Sequence, residues 1–237
     1  METLSGKVAI VTGGTRGIGR AIAQRLWREG ASVAVCGRSR ESVQAFVEEC
    51  QGGTGGQVFG EPADVSKLED VRRFFASVDA RFGGVDFLIN NAGIGVFKSV
   101  ADLTPEEWRR TIDLNLSGVY YCSHEVFNRM RNRGGGYIIN VSSLAGKNAF
   151  AGGAAYNASK FAVNGFSEAM MLDHRYDNVR VSYIMPGSVD TGFSPRAGGG
   201  GWKIQPEDIA EVVMMLLRMP ARTLVSRVEI RPSQPQK

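Results

Sequence analysis

A chain of 237 residues that is 43% hydrophobic and 22% charged has material for one substantial core and is short for two full domains. Its net charge of +4 comes from Lys and Arg spread along the chain, which argues against nucleic acid as the partner and suits a small polyanion equally well. Cys36, Cys50 and Cys122 form no CxxC pair, and there is neither a basic-then-apolar leader nor an apolar run of about 18 residues, so the expectation is a cytoplasmic protein with reduced thiols and no membrane contact.

The first apolar, β-branched run, 7–12 (KVAIVT), predicts a buried strand and leads directly into Gly13-Gly14-Thr15-Arg16-Gly17-Ile18-Gly19, after which residues 18–29 have helical spacing. Glycines there allow a tight turn and close backbone approach, while the N–H groups and positive dipole end of the helix attract an anion. An ordinary strand-to-helix turn has glycines too. With a strand before, a helix after and a second strand at 32–36 (SVAVC), the pattern predicts that the turn binds the pyrophosphate of a dinucleotide. Where an acid at the end of the second strand would bind the ribose 2′-hydroxyl of NAD, the chain instead reads Cys36-Gly37-Arg38-Ser39-Arg40. Arg38, with Arg16 approaching from the glycine turn, suits the 2′-phosphate of NADP(H); two solvated loop arginines are the alternative.

Further strands are predicted at 57–60, 85–89 (VDFLI), 136–141 (GYIINV) and 179–185 (VRVSYIM), separated by helical spacing over 66–82, 105–131 and 155–176. This alternation predicts an α/β chain: one Rossmann-type domain over 1–237, a doubly wound parallel sheet of about seven strands with helices on both faces. Thr104-Pro105-Glu106-Glu107 carries a capping hydroxyl, a first-turn proline and acids; Gln205-Pro206-Glu207-Asp208 repeats the proline and acids without the hydroxyl. Glycine clusters at 52–56, 134–136 and 198–201 read as loops, and only the last is placed to border a substrate; the tail from about 232 to 237 is expected to fray.

Tyr156 and Lys160, four apart at the start of a helical segment, share one face. A free tyrosine, with pKa near ~10, is a poor base, and a neighbouring ammonium favours its phenolate, so the pair predicts proton transfer at a reacting oxygen. Ser142-Ser143 follows GYIINV at the carboxyl end of a strand, where a hydroxyl is placed to hold the same oxygen.

Taken together, TGGTRGIG (12–19), Asp64-Val65, NNAG (90–93), Asn115, Ser143, YNASK (156–160) and PGSVDT (186–191) resemble the short-chain dehydrogenase/reductase family, in its order and spacings, over nearly the whole chain. The resemblance implies an NADP(H)-dependent oxidoreductase that interconverts a carbonyl and an alcohol. Tyr156 would be the general acid/base and would also meet the cofactor, Lys160 would lower its pKa and hold the nicotinamide ribose, Ser143 would orient the carbonyl, and Asn115 would anchor a water in a proton relay. Ser143 is preferred to Ser142 because thirteen positions separate it from Tyr156, as in many relatives. The cofactor would meet Gly13, Thr15, Arg16, Gly17, Ile18 and Gly19 at the turn, Arg38 and Ser39 at its 2′-phosphate, and Asp64 and Val65 at its adenine. Asn91, Ala92 and Gly93 would line its cleft, with Pro186, Gly187, Val189 and Thr191 at the carboxamide. Asn90 reads as a tie between strands. No metal is implied, and His124 and His174 form no ligand cluster.

Substrate choice is expected to lie in a short lid at about 191–205, where Phe193 and Trp202 are placed to stack on an apolar group, or simply to pack, and Arg196 or Lys203 to attract an acidic one. Reductases of 3-oxoacyl thioesters or of small ketones and aldehydes, and hydroxy-acid or sugar-alcohol dehydrogenases, all fit. The ending TLVSRVEIRPSQPQK lacks the glycine-rich segment that supports tetramers in the family, leaving a homodimer through 105–131 and 155–176 as the expectation. Competing readings are a non-catalytic NADPH sensor on the same fold, a DNA-associated basic protein, and an extended-type epimerase or dehydratase, for which the chain is short.

Overall fold

The computed structural model describes residues 4–193 and 201–235. Strands β1 (Val8–Thr12), β2 (Ser32–Gly37), β3 (Val58–Pro62), β4 (Phe87–Asn90), β5 (Gly136–Val141), β6 (Val179–Pro186) and β7 (Arg227–Ile230) form one parallel sheet in the order β3-β2-β1-β4-β5-β6-β7. Helices α1 (Gly17–Arg28), α2 (Arg40–Gln51) and α7 (Pro206–Leu217) contribute to the core on one face; α3 (Leu68–Phe82), α5 (Gly118–Asn132) and α6 (Ala154–Asp173) contribute to the other. Strand alternation divides the two cores: in β1, Ala9 and Val11 join Ile22 and Leu26 on one side, while Val8 and Ile10 join Phe74 and Phe75 on the other. A central strand buried on both faces has to be apolar throughout, which is why KVAIVT shows no polar alternation. All three cysteines are free and buried. No described helix is long and apolar enough to cross a membrane.

The expected helix over 105–131 is broken into α4 (Pro105–Ile112), a π-helical turn at Asp113–Ser117, and α5. A periodicity of 3.6 cannot reveal one extra residue in a turn, and π-turns of this kind gather at functional sites. Asn115, in the wide turn, faces inward and brackets the Ile94 backbone: its Oδ1 accepts from the Ile94 N–H and its Nδ2 donates to the Ile94 carbonyl, both at 2.9 Å. The other helix-start signals are present as capping interactions, Thr104 and Glu107 bonding reciprocally and the Asp208 carboxylate accepting from the Gln205 N–H at 2.8 Å.

Strand β7 had no place among the predicted strands. It is a short edge strand whose Arg227 and Glu229 are exposed and alternate with Val228 and Ile230, so it lacks the continuous apolar run that marks its neighbours. It leads into a segment expected to fray, of which Pro232 and the exposed Pro235 line the cleft described below; residues 236–237 lie outside the described residues. The 52–56 glycine loop is explained by the indole of Trp27, which lies against Gly53 and Gly55 and donates to the Gly56 carbonyl at 2.7 Å.

Candidate active site

Between β1 and β4 the sheet order reverses direction, and the connections after these strands leave on opposite faces, opening a crevice at their carboxyl ends. Thr12, the last residue of β1, ties the two strands together: its Oγ1 accepts from the N–H groups of Asn91 (3.0 Å) and Ala92 (3.1 Å). The Asn91 amide answers by donating to the carbonyls of Thr12 (3.0 Å) and Gly13 (3.1 Å). Gly13 has φ +61°, and a Cβ there would meet the Ala92 Cα at 3.0 Å, so the turn admits only glycine. Arg16, at the N-cap of α1, makes no side-chain cap, leaving the first-turn N–H groups of α1 available to an anion.

A single cleft of about 1060 Å³ is lined by Gly13, Thr15, Arg16, Gly17, Ile18, Arg38, Ser39, Asp64, Val65, Asn91, Ala92, Gly93, Ser143, Tyr156, Lys160, Pro186, Gly187, Val189 and Thr191. The structure thus gathers nearly every site residue expected from the sequence. Two stand behind it. Gly19 is buried under the turn, where a Cβ would strike the Asn91 amide and the Gly13 carbonyl; it packs helix against strand and does not line the cleft. The Asn115 side chain is engaged by Ile94 and by Ser159, whose Oγ accepts from Nδ2 at 3.0 Å, so it shapes the cleft wall from within the protein.

At the β2 end of the cleft, Arg16 and Arg38 are exposed, and no acid among the described residues forms an ion pair with either. The Ser39 hydroxyl accepts from the Ser42 N–H (3.1 Å) and donates to Glu41 (2.8 Å), making it the N-cap of α2 as well as a cleft residue. One Asp64 oxygen accepts from the Ser66 N–H and hydroxyl.

At the β5 end, the Ser143 Oγ accepts from the Ala145 N–H at 3.1 Å, which leaves its own proton for the phenolic oxygen of Tyr156. Ser142 is buried, and its hydroxyl is engaged by Asn164 and the Lys160 carbonyl. Lys160, only 6% exposed, donates from Nζ to the Val141 carbonyl at 2.9 Å, and the same Nζ lies 5.8 Å from the centre of the Tyr156 ring. The expected lowering of Tyr156 by Lys160 is not what the structure gives. Burial pushes the phenol up, opposed by the Ser143 hydroxyl, because the ammonium is held by Val141 and aromatic rings enclose the tyrosine. Burial in turn brings Lys160 down to about 8.

The depressed Lys160 makes stability depend on pH with a definite sign. Below pH 8 the ammonium is buried at its full cost, and between about 8 and 10.5 the folded chain releases the proton that the unfolded chain still holds, so stability rises with pH. The cost is about 3 kcal/mol. Denaturant titrations of the wild type and Lys160→Met should therefore show the stability difference moving in favour of the wild type by about that amount across this window; a constant difference would mean that the ammonium is not desolvated.

Sequence reasoning met Thr12 only as the first residue of TGGTRGIG and gave it no role of its own, and it passed over Phe97 and Phe150, which line the cleft from loops after β4 and β5 with no motif around them. Phe193, Trp202 and Lys203 also line the cleft, whereas Arg196 lies outside the described residues. The tie expected of Asn90 is present, its amide donating to Asn140 (2.9 Å) and Ser123 (3.1 Å).

Residues 7–198 match the short chain dehydrogenase family. An uncharacterized oxidoreductase of Staphylococcus saprophyticus is 33% identical over 236 residues, covering 98% of this chain and all of that protein; one from Staphylococcus aureus is 33% identical over 233 residues, with the same coverage. Among solved structures, an alcohol dehydrogenase from the archaeon Thermococcus sibiricus, complexed with 5-hydroxy-NADP, superposes with a TM-score of 0.90 at 32% identity over 98% of this chain and 99% of that one. A metagenomic short-chain oxidoreductase in complex with NADP gives 0.87 at 36% identity over 99% and 100%. The chain belongs to the short-chain dehydrogenase family and is an oxidoreductase of that family.

Proposed function

We propose that the protein is an NADPH-dependent reductase that converts a ketone, aldehyde or 3-oxoacyl carbonyl to the alcohol, with Tyr156 as the proton donor. The observation that carries this reading is one cleft holding two uncommitted arginines at its β2 end and the Ser143, Tyr156 and Lys160 side chains at its β5 end. These strands are three positions apart in the sheet, about 14 Å at ~4.8 Å per strand, a span that suits the two halves of a dinucleotide.

The glycine turn and the uncapped start of α1 fit the pyrophosphate, Arg16 and Arg38 fit a 2′-phosphate, and Asp64 would face the adenine. Two structural neighbours were solved with NADP or a derivative of it, in keeping with that choice. Bound there, the nicotinamide would supply the hydride. Ser143 would hold the carbonyl oxygen, and Tyr156, kept as the neutral phenol by burial, would protonate it as negative charge develops. Lys160 would meet the ribose and pass a proton to Tyr156, and Asn115, through the wide turn it occupies, would sit at the inner end of that relay.

Titration with NADPH and NADH, followed by NADPH oxidation against ketones, aldehydes and 3-oxoacyl thioesters, tests the reading. Tight NADPH binding with turnover supports it; binding with turnover on no member supports a sensor instead.

A homodimer through α5 and α6 is part of the same proposal. Tyr120 on α5 (48% exposed) and Phe161 and Leu172 on α6 (46% and 58%) leave apolar surface there. Light scattering should give the mass of two chains, falling to one in Phe161→Asp; a monomeric wild type would refute the dimer.

A further inference from the structure

We infer that the substrate end of the cleft is built for a carbonyl bearing an aryl group, held among Phe97, Phe150 and Phe193; the inference rests on the reductase reading. The three rings come from loops after three different strands, β4, β5 and β6, and surround the proposed proton donor. Their centroids lie 5.6, 6.5 and 5.7 Å from that of Tyr156, and Phe97 lies a further 6.0 Å from Phe150 and 6.3 Å from Phe193.

Interplanar angles of 44° to 73° in these contacts mean that no two of the rings stack flat. Ring surface is left toward the cleft: Phe150 is 44% exposed and Phe193 is 40% exposed, although both line it. Two glycines make room for the arrangement. A Cβ on Gly95 would come within 2.8 Å of Phe193, and one on Gly153 within 2.6 Å of Phe150. Large apolar surface facing a concave site is where a ligand gains by covering it, and a ring offers edge and tilted contacts that an alkyl chain lacks.

Among the described residues, the charges nearby point the same way. Lys98 pairs with Glu107, Lys147 and Arg231 pair with Glu229, and Lys203 lies 4.0 Å from Asp190 with the Trp202 ring beneath it at 5.9 Å. Cations already facing acids do not select an anionic substrate, so a neutral aryl ketone or aldehyde fits better than a charged acyl carrier.

Each ring contact is worth about two- to tenfold beyond simple burial, so kcat/KM for 1-phenylethanone should exceed that for butan-2-one by about a hundredfold. Phe97→Ala and Phe193→Ala should each cut that ratio by up to about tenfold, chiefly through KM. A second measurement separates recognition from turnover: the Tyr156→Phe protein is titrated with each ketone by ligand-observed NMR, and 1-phenylethanone should bind more tightly. Turnover of both ketones at similar kcat/KM would overturn the aromatic box and leave the reductase reading standing. Preferential binding of 1-phenylethanone without turnover of either ketone by the wild type would support the box and count against the reductase. Equal or absent binding of the two ketones in the NMR titration would overturn the box.

Discussion

Tyr156→Phe is expected to reduce carbonyl turnover by about 10²–10⁴-fold, the range typical of losing a positioned proton donor, while NADPH affinity changes by no more than a few-fold. The substitution keeps the ring, and with it the edge and tilted contacts to Phe97, Phe150 and Phe193, so the local fold should survive and the loss should fall on kcat. The pH dependence follows from the same site. Because burial holds Tyr156 above the ordinary phenol, it stays protonated through the neutral range, and the proposed acid role predicts no pH threshold there. The group that titrates first is Lys160, at about 8, so reduction should hold level below that value and decline above it, with alcohol oxidation rising over the same interval. A variant retaining more than a tenth of wild-type turnover would remove Tyr156 from the proton-transfer step.

The second large effect concerns cofactor choice. Arg38→Ala is expected to weaken NADPH binding by about 10- to 100-fold, the loss of one or two charge-assisted hydrogen bonds, with NADH binding unchanged. Because both arginines are exposed, the preference for NADPH should shrink as salt rises, and Arg16→Ala should add a smaller loss of the same kind. Equal weakening of NADPH and NADH would assign Arg38 to general packing and not to the 2′-phosphate.

The glycine turn, the absence of an acid after β2, and the Ser143, Tyr156 and Lys160 spacing were legible in the sequence because each sits at a strand end or in one helix turn, where local pattern dictates position. Other features depend on contacts between distant segments. The π-turn that brings Asn115 onto Ile94, the tie from Thr12 to Asn91, and the meeting of Phe97, Phe150 and Phe193 around Tyr156 leave no periodic trace. Strand β7 was missed because an edge strand in contact with solvent carries alternating charge, and the direction of the Tyr156 shift was misread because helical spacing gives the distance to Lys160 but not the burial of either group or the Val141 carbonyl that engages the ammonium.

The central claim is that this cleft moves a hydride from a bound nicotinamide to a substrate carbonyl. NADPH deuterated at C4, each epimer in turn, incubated with 1-phenylethanone and the wild-type protein, tests it by mass spectrometry of the alcohol. One epimer should place its deuterium on the carbinol carbon, and that transfer should be lost in Tyr156→Phe. An alcohol product without deuterium from either epimer, or no alcohol product from any carbonyl that binds, would contradict the account.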